Sequence, residues 1–236
     1  MLVPSKTIVY ATRNILARAS AARIVLALSD LLASKEAVHV GIAGGFVSNH
    51  VLKEVARFPL SADLDWSGLH VWWVDERFVG SDRSERNDAQ ALAALDGIWD
   101  SAHFHRIGSA NDFSTATEAA KAYQAELEAE LTPSFDLAIL GMGPDGHVAS
   151  IFPSRPAGEQ SAYAVFDSPK PPAIRVTVSM GLLRACKKRF IILSGEEKST
   201  AFAKAIAAGI SSEKCPAAAL NMSGTYWLTD LAAAGN

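Results

Sequence analysis

Cysteine is scarce in this chain. Cys186 and Cys215 are the only two among 236 residues, and neither belongs to a CxxC pair or to a Cys/His spacing of the kind that holds zinc. No redox centre is legible on that basis, and a reduced, cytoplasmic protein is the simplest expectation. Long apolar runs are also missing. The longest apolar region, Ala21 to Ala33, is interrupted by Arg23 and Asp30, so no transmembrane helix and no membrane partner are expected. The N-terminus shows no basic start, apolar core or small-residue cleavage site of a signal peptide. Positive charge is not in excess: 22 Lys and Arg stand against 25 Asp and Glu, and the largest basic cluster is Lys187-Lys188-Arg189. Nucleic acid is therefore not an expected partner, whereas a single small anion is compatible with this balance. There is no G-x-S-x-G nucleophile elbow, and Asp, Glu and His residues show no recognised metal spacing.

What is present is an alternation of strand and helix patterns in a chain that is 49% hydrophobic and long enough to bury a sizeable core without a staple. Apolar runs predict strands at Thr7–Ala11, Val38–Ala43, Leu69–Val74, Ser101–Ile107, Phe135–Leu140, Ile174–Val178, Arg189–Leu193 and Thr225–Leu228. Helical spacing predicts helices at about Asn14–Ser34, Ser48–Arg57, Asn87 or Asp88 to Leu95, Ser114–Leu131, Leu182–Cys186 and Glu196–Ala207. Ser154 to Pro172, rich in Pro and Ser, reads as a loop. With no repeat and no low-complexity linker, residues 1–236 are expected to form one α/β domain, a mostly parallel sheet covered by helices on both faces in three layers.

In such sheets ligands bind beyond the carboxyl ends of the strands. Polar and glycine-rich segments collect there: Gly44-Gly45, Asp75-Glu76-Arg77, Asp145-Gly146-His147 and Ser194-Gly195 each follow a strand. His147 is the side chain suited to proton transfer near neutrality, and Asp145 can either orient its ring or stabilise its cation. Gly44 and Gly45, between a strand and a helix, can offer backbone N–H groups to a phosphate, or serve turn geometry alone. Arg77 can fork onto a phosphate or carboxylate, or pair with Asp75 or Glu76. Arg175 and Lys198 are further candidate anion ligands, although a Lys at that place in a helix is more often simply solvated. The economical reading is a His that activates water beside a site for a phosphorylated ligand.

Taken together, Ala43-Gly44-Gly45, VDERFV (Val74–Val79) with Arg86-Asn87, LGMGPDGHVASIFP (Leu140–Pro153), RVTVS (Arg175–Ser179) and SGEEKS (Ser194–Ser199) resemble the 6-phosphogluconolactonase family. Its superfamily includes glucosamine-6-phosphate deaminase and ribose-5-phosphate isomerase. The resemblance implies a Rossmann-like, deaminase/isomerase-type α/β fold that needs no metal or organic cofactor. It implies hydrolysis of 6-phospho-D-glucono-1,5-lactone to 6-phosphogluconate in the oxidative pentose phosphate pathway. The expected partner is a small phosphorylated sugar lactone, and the expected state a monomer or weak homo-oligomer. By position, His147 looks like the general base and Asp145 and Asp75 like its polar partners. Gly44, Gly45, Arg77, Arg175 and Lys198 look like phosphate or substrate ligands.

One position separates the lactonase from the deaminase pattern, which resembles DGHIAFNEP and uses its Glu in ring opening. This chain has Phe152 there, and an apolar Phe cannot relay a proton. Two departures stand out. Phe46-Val47 follow Gly44-Gly45 where a small residue and then Thr or Asn are usual, leaving Ser48 as the expected substitute hydroxyl for phosphate. Arg86 replaces a common Ser and is expected to add positive charge near the site. The alternatives are a sugar-phosphate isomerase or amino-sugar-phosphate deaminase, told apart by ketose formation or ammonia release, and a non-catalytic sugar-phosphate sensor, which would bind without turnover.

Overall fold

A computed structural model describes residues 5–131 and 133–235. The chain runs β1 (Lys6–Tyr10), α1 (Arg13–Leu32), β2 (Val38–Ile42), a π-helical turn (Val47–Val51) leading into α2 (Leu52–Arg57), β3 (Leu69–Trp73), β4 (Asp75–Arg77) and α3 (Asn87–Leu95). It continues through β5 (His103–His105), α4 (Ala116–Glu130), β6 (Leu137–Leu140), β7 (Ala162–Val165), β8 (Arg175–Val178) and α5 (Met180–Ala185). The last elements are β9 (Lys188–Leu193), a 3₁₀ turn (Glu196–Lys198), α6 (Ser199–Ile206), β10 (Thr225–Asp230) and α7 (Leu231–Ala234).

Seven strands form a parallel sheet in the order β1-β10-β9-β6-β2-β3-β5, flanked by helices, as the strand–helix alternation requires. The central β6 is buried at every residue, the near-continuous apolar run of a strand covered on both faces. Trp72, Trp73, Trp99 and Trp227 are all inside the core. After β2 the chain turns toward β3, and after β6 it turns the opposite way toward β9. The loops leaving β2 and β6 therefore diverge over adjacent strands and open a crevice between them, the topological switch point at which such sheets bind ligands.

A second sheet departs from expectation. Asp75–Arg77 is a strand rather than the start of a loop, and it pairs antiparallel with β8, which pairs in turn with β7. β7 lies inside the predicted loop Ser154–Pro172; its AYAV pattern is too short and too partly exposed to announce itself. Helix starts also move by a residue or two. α4 is capped by Thr115, not Ser114: the Thr115 hydroxyl accepts from the Glu118 amide at 3.2 Å and the Glu118 carboxylate accepts from the Thr115 amide at 3.1 Å. Neither Asn87 nor Asp88 caps α3. Both sit in its first turn, and the Glu76 carboxylate from β4 accepts their amides at 2.7 and 2.8 Å. Among the described residues no helix is long and apolar enough to cross a membrane.

Candidate active site

At the carboxyl ends of β2, β3 and β6 lies a cavity of about 340 Å³, within the range typical of small-molecule sites. Seven of the residues singled out from the sequence line it: Gly44, Gly45, Asp75, Arg77, His147, Arg175 and Lys198. They come from five separate segments of the chain.

The glycines are explained by close approach and by backbone sign. A Cβ on Gly44 would overlap the Asn87 side-chain amide, so the loop after β2 can lie against α3 only without one. Gly45 has φ +67°, in the left-handed region that favours glycine. Gly146 has φ +87°, and an added Cβ would sit 2.7 Å from the Cys215 sulfur, so this turn both needs glycine and rests on Cys215. The Ala217 amide donates to the Gly146 carbonyl at 3.0 Å and fixes the loop from below.

This loop presents the Asp145–His147 pair. His147 Nδ1 lies 2.5 Å from Asp145 Oδ1, and the same oxygen accepts the His147 amide at 3.3 Å. Burial works against ionising Asp145, but the bonds from the His147 ring and amide prevail and hold its carboxyl down to about 2. An ionised Asp145 accepts a hydrogen bond from Nδ1–H, which leaves the lone pair on Nε2. Asp145 itself is outside the cavity lining, 37% exposed, and reaches the site through the imidazole. Phe152 packs against the His147 ring with centroids 4.8 Å apart and supplies an apolar wall.

Asp75 is buried at the cavity, where Oδ2 accepts the Ser150 hydroxyl at 2.7 Å and its carbonyl accepts the Asn87 amide group at 2.8 Å. Asp75 thus ties the loop after β6 to β4 and to α3. Asn87 Oδ1 is buried without a hydrogen-bond partner. So is Arg77 Nε, although the Arg77 guanidinium also donates through Nη1 to the Glu85 carbonyl. Arg77 makes no ion pair with Asp75 or Glu76. Both atoms are shut off from solvent, and Asn87 Oδ1 packs directly against Gly44.

The cationic lining is held by deliberate packing. Arg77 and Arg175 face each other across β4 and β8, and burial together with Arg77 keeps Arg175 below the ordinary guanidinium value, against the pull of Asp75. Two donors of Arg175 are engaged: Nε to the Pro172 carbonyl at 2.8 Å and Nη2 to the Lys170 carbonyl at 3.1 Å. Arg175 therefore clamps the loop that brings Lys170 to the cavity. Burial, aided by Lys170 and Arg13 and opposed by Glu197, lowers the Lys198 ammonium from its usual value. Among the described residues Lys198 makes no side-chain hydrogen bond or ion pair, so its charge remains available to an anion.

Two expectations need correction. Ser48 does not substitute for the missing phosphate-loop hydroxyl: it is fully buried and donates to the Ala43 carbonyl at 3.1 Å. The first turn after Gly45 is π-helical, and Ser48 faces the core side of it. Phe46 lines the cavity instead, its ring stacked on His50 and covered by the Arg13 guanidinium at 5.1 Å. Arg86 adds no charge to the cavity. It is 2% exposed and forks onto both Asp88 oxygens at 2.9 Å, donates to the Ile107 carbonyl at 2.7 Å and lies 3.7 Å from Glu76. That internal pairing fixes Glu76, which burial and the Asp88 carboxylate push up to about 7 while Arg86 and the α3 amides oppose the shift.

Asn87, Lys170, Met142 and Glu197 also line the cavity and were not singled out as ligands. Asn87 was readable from its place beside Arg86 in the family motif. Lys170 carried no local signal, because it reaches the site only through the β7–β8 turn and the Arg175 clamp.

The sequence model of the family described as glucosamine-6-phosphate isomerases/6-phosphogluconolactonase matches residues 11–227. The chain is 36% identical to the 6-phosphogluconolactonase of Streptomyces coelicolor, with 96% of this chain and 92% of the relative covered. It is 34% identical to that of Mycobacterium tuberculosis, with 96% of each covered. Its fold is that of solved 6-phosphogluconolactonases: the Trypanosoma brucei structure matches with a TM-score of 0.85 at 24% identity over 100% of this chain and 99% of that one. The Thermotoga maritima structure matches with a TM-score of 0.78 at 25% identity over 95% and 100%. A match spanning all the cavity loops, joined to relatives of this identity along nearly their whole length, places the chain in the glucosamine-6-phosphate isomerase/6-phosphogluconolactonase family.

Proposed function

We propose that this protein is a 6-phosphogluconolactonase, hydrolysing 6-phospho-D-glucono-1,5-lactone to 6-phosphogluconate in the oxidative pentose phosphate pathway of the cytoplasm. The observation that carries this reading is the ionised Asp145 bonded to His147 Nδ1 at the mouth of a cavity whose lining includes four basic side chains, Arg77, Arg175, Lys170 and Lys198. A base with no nucleophile beside it, facing a cationic pocket, suits attack by water on an anionic ester. Phe152 packed on His147, where ring opening of an amino sugar needs a carboxylate, favours hydrolysis over the isomerase and deaminase chemistry of the same family.

In this mechanism His147 Nε2 takes a proton from a water poised over the lactone carbonyl carbon as the new C–O bond forms. Asp145 steadies the imidazolium that results. The tetrahedral oxyanion collapses, the C1–O5 bond breaks, and the imidazolium returns its proton to the departing ring oxygen. The Arg77 guanidinium, which lines the cavity, is a donor for the oxyanion. Lys198, Lys170 and the backbone of Gly44-Gly45 hold the phosphate and orient the ring.

The test is hydrolysis of freshly generated lactone, followed by acid release and corrected for spontaneous opening. Wild type should exceed the blank, and His147→Ala should lose about 10²–10⁴-fold in kcat. Full activity in His147→Ala, or ammonia release from glucosamine 6-phosphate by the wild type, would refute the assignment.

A further inference from the structure

Four of the six histidines gather far from the cavity. His39, His70 and His103 are register partners across β2, β3 and β5, and His105 lies one pleat further along β5 beside Trp72. His39 and His70 are second in their strands, whereas the cavity begins beyond the far ends of the same strands. At the ordinary strand rise the two places are about 13–16 Å apart. The proposed lactonase chemistry uses none of these residues.

The cluster converges on one point. His70 Nδ1 and His105 Nε2 are 2.9 Å apart, and the Glu130 carboxylate, from the last turn of α4, lies 3.9 and 3.6 Å from them. The three donor atoms all fall within 4.8 Å of one another. Zinc bonds of about 2.0–2.2 Å to nitrogen and oxygen at a tetrahedral angle put neighbouring donors about 3.3 Å apart, which these distances bracket. The rings are held in place beforehand: His105 stacks on Trp72 at 3.7 Å and 4°, and His70 stacks on His103 at 4.6 Å. His105 Nδ1 lies 2.6 Å from Glu126, one turn before Glu130 on α4. A carboxylate on the outer nitrogen is the support that metal-binding histidines use to turn the other lone pair inward.

We propose that His70, His105 and Glu130 form a binding site for a borderline divalent transition cation of the zinc class, with Glu126 orienting His105 and water completing the coordination. Two imidazoles and one carboxylate suit zinc, cobalt, nickel or copper rather than magnesium or calcium, which take oxygen donors. His105 already has the required tautomer, its Nδ1–H donating to Glu126. His70 moves its proton from Nδ1 to Nε2 to free the second lone pair. The bound cation joins the end of α4 to β3 and to the edge strand β5, so it acts on stability rather than on the lactone. The site is empty of any role in the established family chemistry and stands or falls independently of the lactonase reading.

The experiment takes protein stripped with chelator and dialysed, and measures binding of zinc by titration calorimetry, the visible spectrum with cobalt, and the melting temperature with and without zinc. Wild type and His147→Ala should bind one equivalent, show the intense visible bands of tetrahedral cobalt, and melt higher with metal. Glu126→Gln should weaken binding about 10–100-fold. Glu130→Gln, at an exposed position that does not endanger folding, and His70→Asn should weaken it further and abolish the melting shift. Absence of zinc binding in the wild type would overturn the proposal. So would binding that survives Glu130→Gln and His70→Asn unchanged, or binding that is lost in His147→Ala, which would put the metal on the cavity histidine.

Discussion

Replacing Asp145 by Asn separates the charge at the cavity mouth from its geometry. The amide keeps an oxygen for the His147 ring and backbone N–H groups, now 2.5 and 3.3 Å from Asp145 Oδ1, but it carries no charge to stabilise an imidazolium. Two unit charges about 4 Å apart at an effective dielectric constant near 20 attract by about 4 kcal/mol. Asp145 is 37% exposed, and solvent screening reduces that figure toward the ~1.5–3 kcal/mol of a hydrogen bond to a charged group. At 1.36 kcal/mol per decade, kcat should fall about 10–100-fold. KM should stay within about twofold, since Asp145 does not line the cavity. The assay is initial-rate acid release from fresh 6-phosphogluconolactone over a range of concentrations, with the spontaneous rate subtracted. An unchanged kcat, or a loss confined to KM, would show that the pair does not act through the imidazolium and would remove the basis of the mechanism.

Lys198→Ala should raise KM for the phosphorylated lactone about 10–100-fold, the value of a lost charged hydrogen bond, and leave hydrolysis of an unphosphorylated gluconolactone nearly unchanged; equal losses on both substrates would contradict a phosphate role. Arg86→Ala strands the Glu76 and Asp88 carboxylates in the core, and urea unfolding should register a loss of about 3–5 kcal/mol. Acid should also destabilise the fold in a defined direction. Despite its burial, Asp136 is held below the ordinary carboxylate value by Lys35, the His39 amide and Lys187, and Asp145 is held near 2 by His147. Each depressed pKa contributes stability above about pH 4 that is lost as pH falls toward the folded value. The melting temperature should therefore drop between pH 5 and pH 3, with a shallower slope in Asp136→Asn.

Much of the site was readable because its residues follow strands directly. β6 is a run of four apolar residues ended by glycine, and the chain has no other way to leave a buried strand than at the sheet rim, so Asp145 and His147 had to arrive there. Gly44, Asp75 and Arg77 follow the same rule at β2 and β3. Ser48 and Arg86 did not obey it. Each lies one step further along, where the turn of a helix decides which way a side chain faces: Ser48 fell on the core side of a π-helical turn, and Arg86 found two buried carboxylates closer than any ligand. The small antiparallel sheet was hidden for a related reason, since β4 and β7 are three and four residues long and gain their pairing only from β8.

The alternation of apolar and helical periods by itself determined a parallel α/β sheet, and the glycines after its strands determined which residues reach the rim, because both depend only on neighbours in the chain. Register and side-chain competition were decided by tertiary structure alone. Lys170 enters the cavity only because Arg175 grips the carbonyls of its loop. His70, His105 and Glu130 meet only because two strands and a helix align them, the histidines standing 35 positions apart and the carboxylate 25 positions further on. No local spacing encodes such a meeting, which arises when burial of the apolar faces brings distant segments into one register.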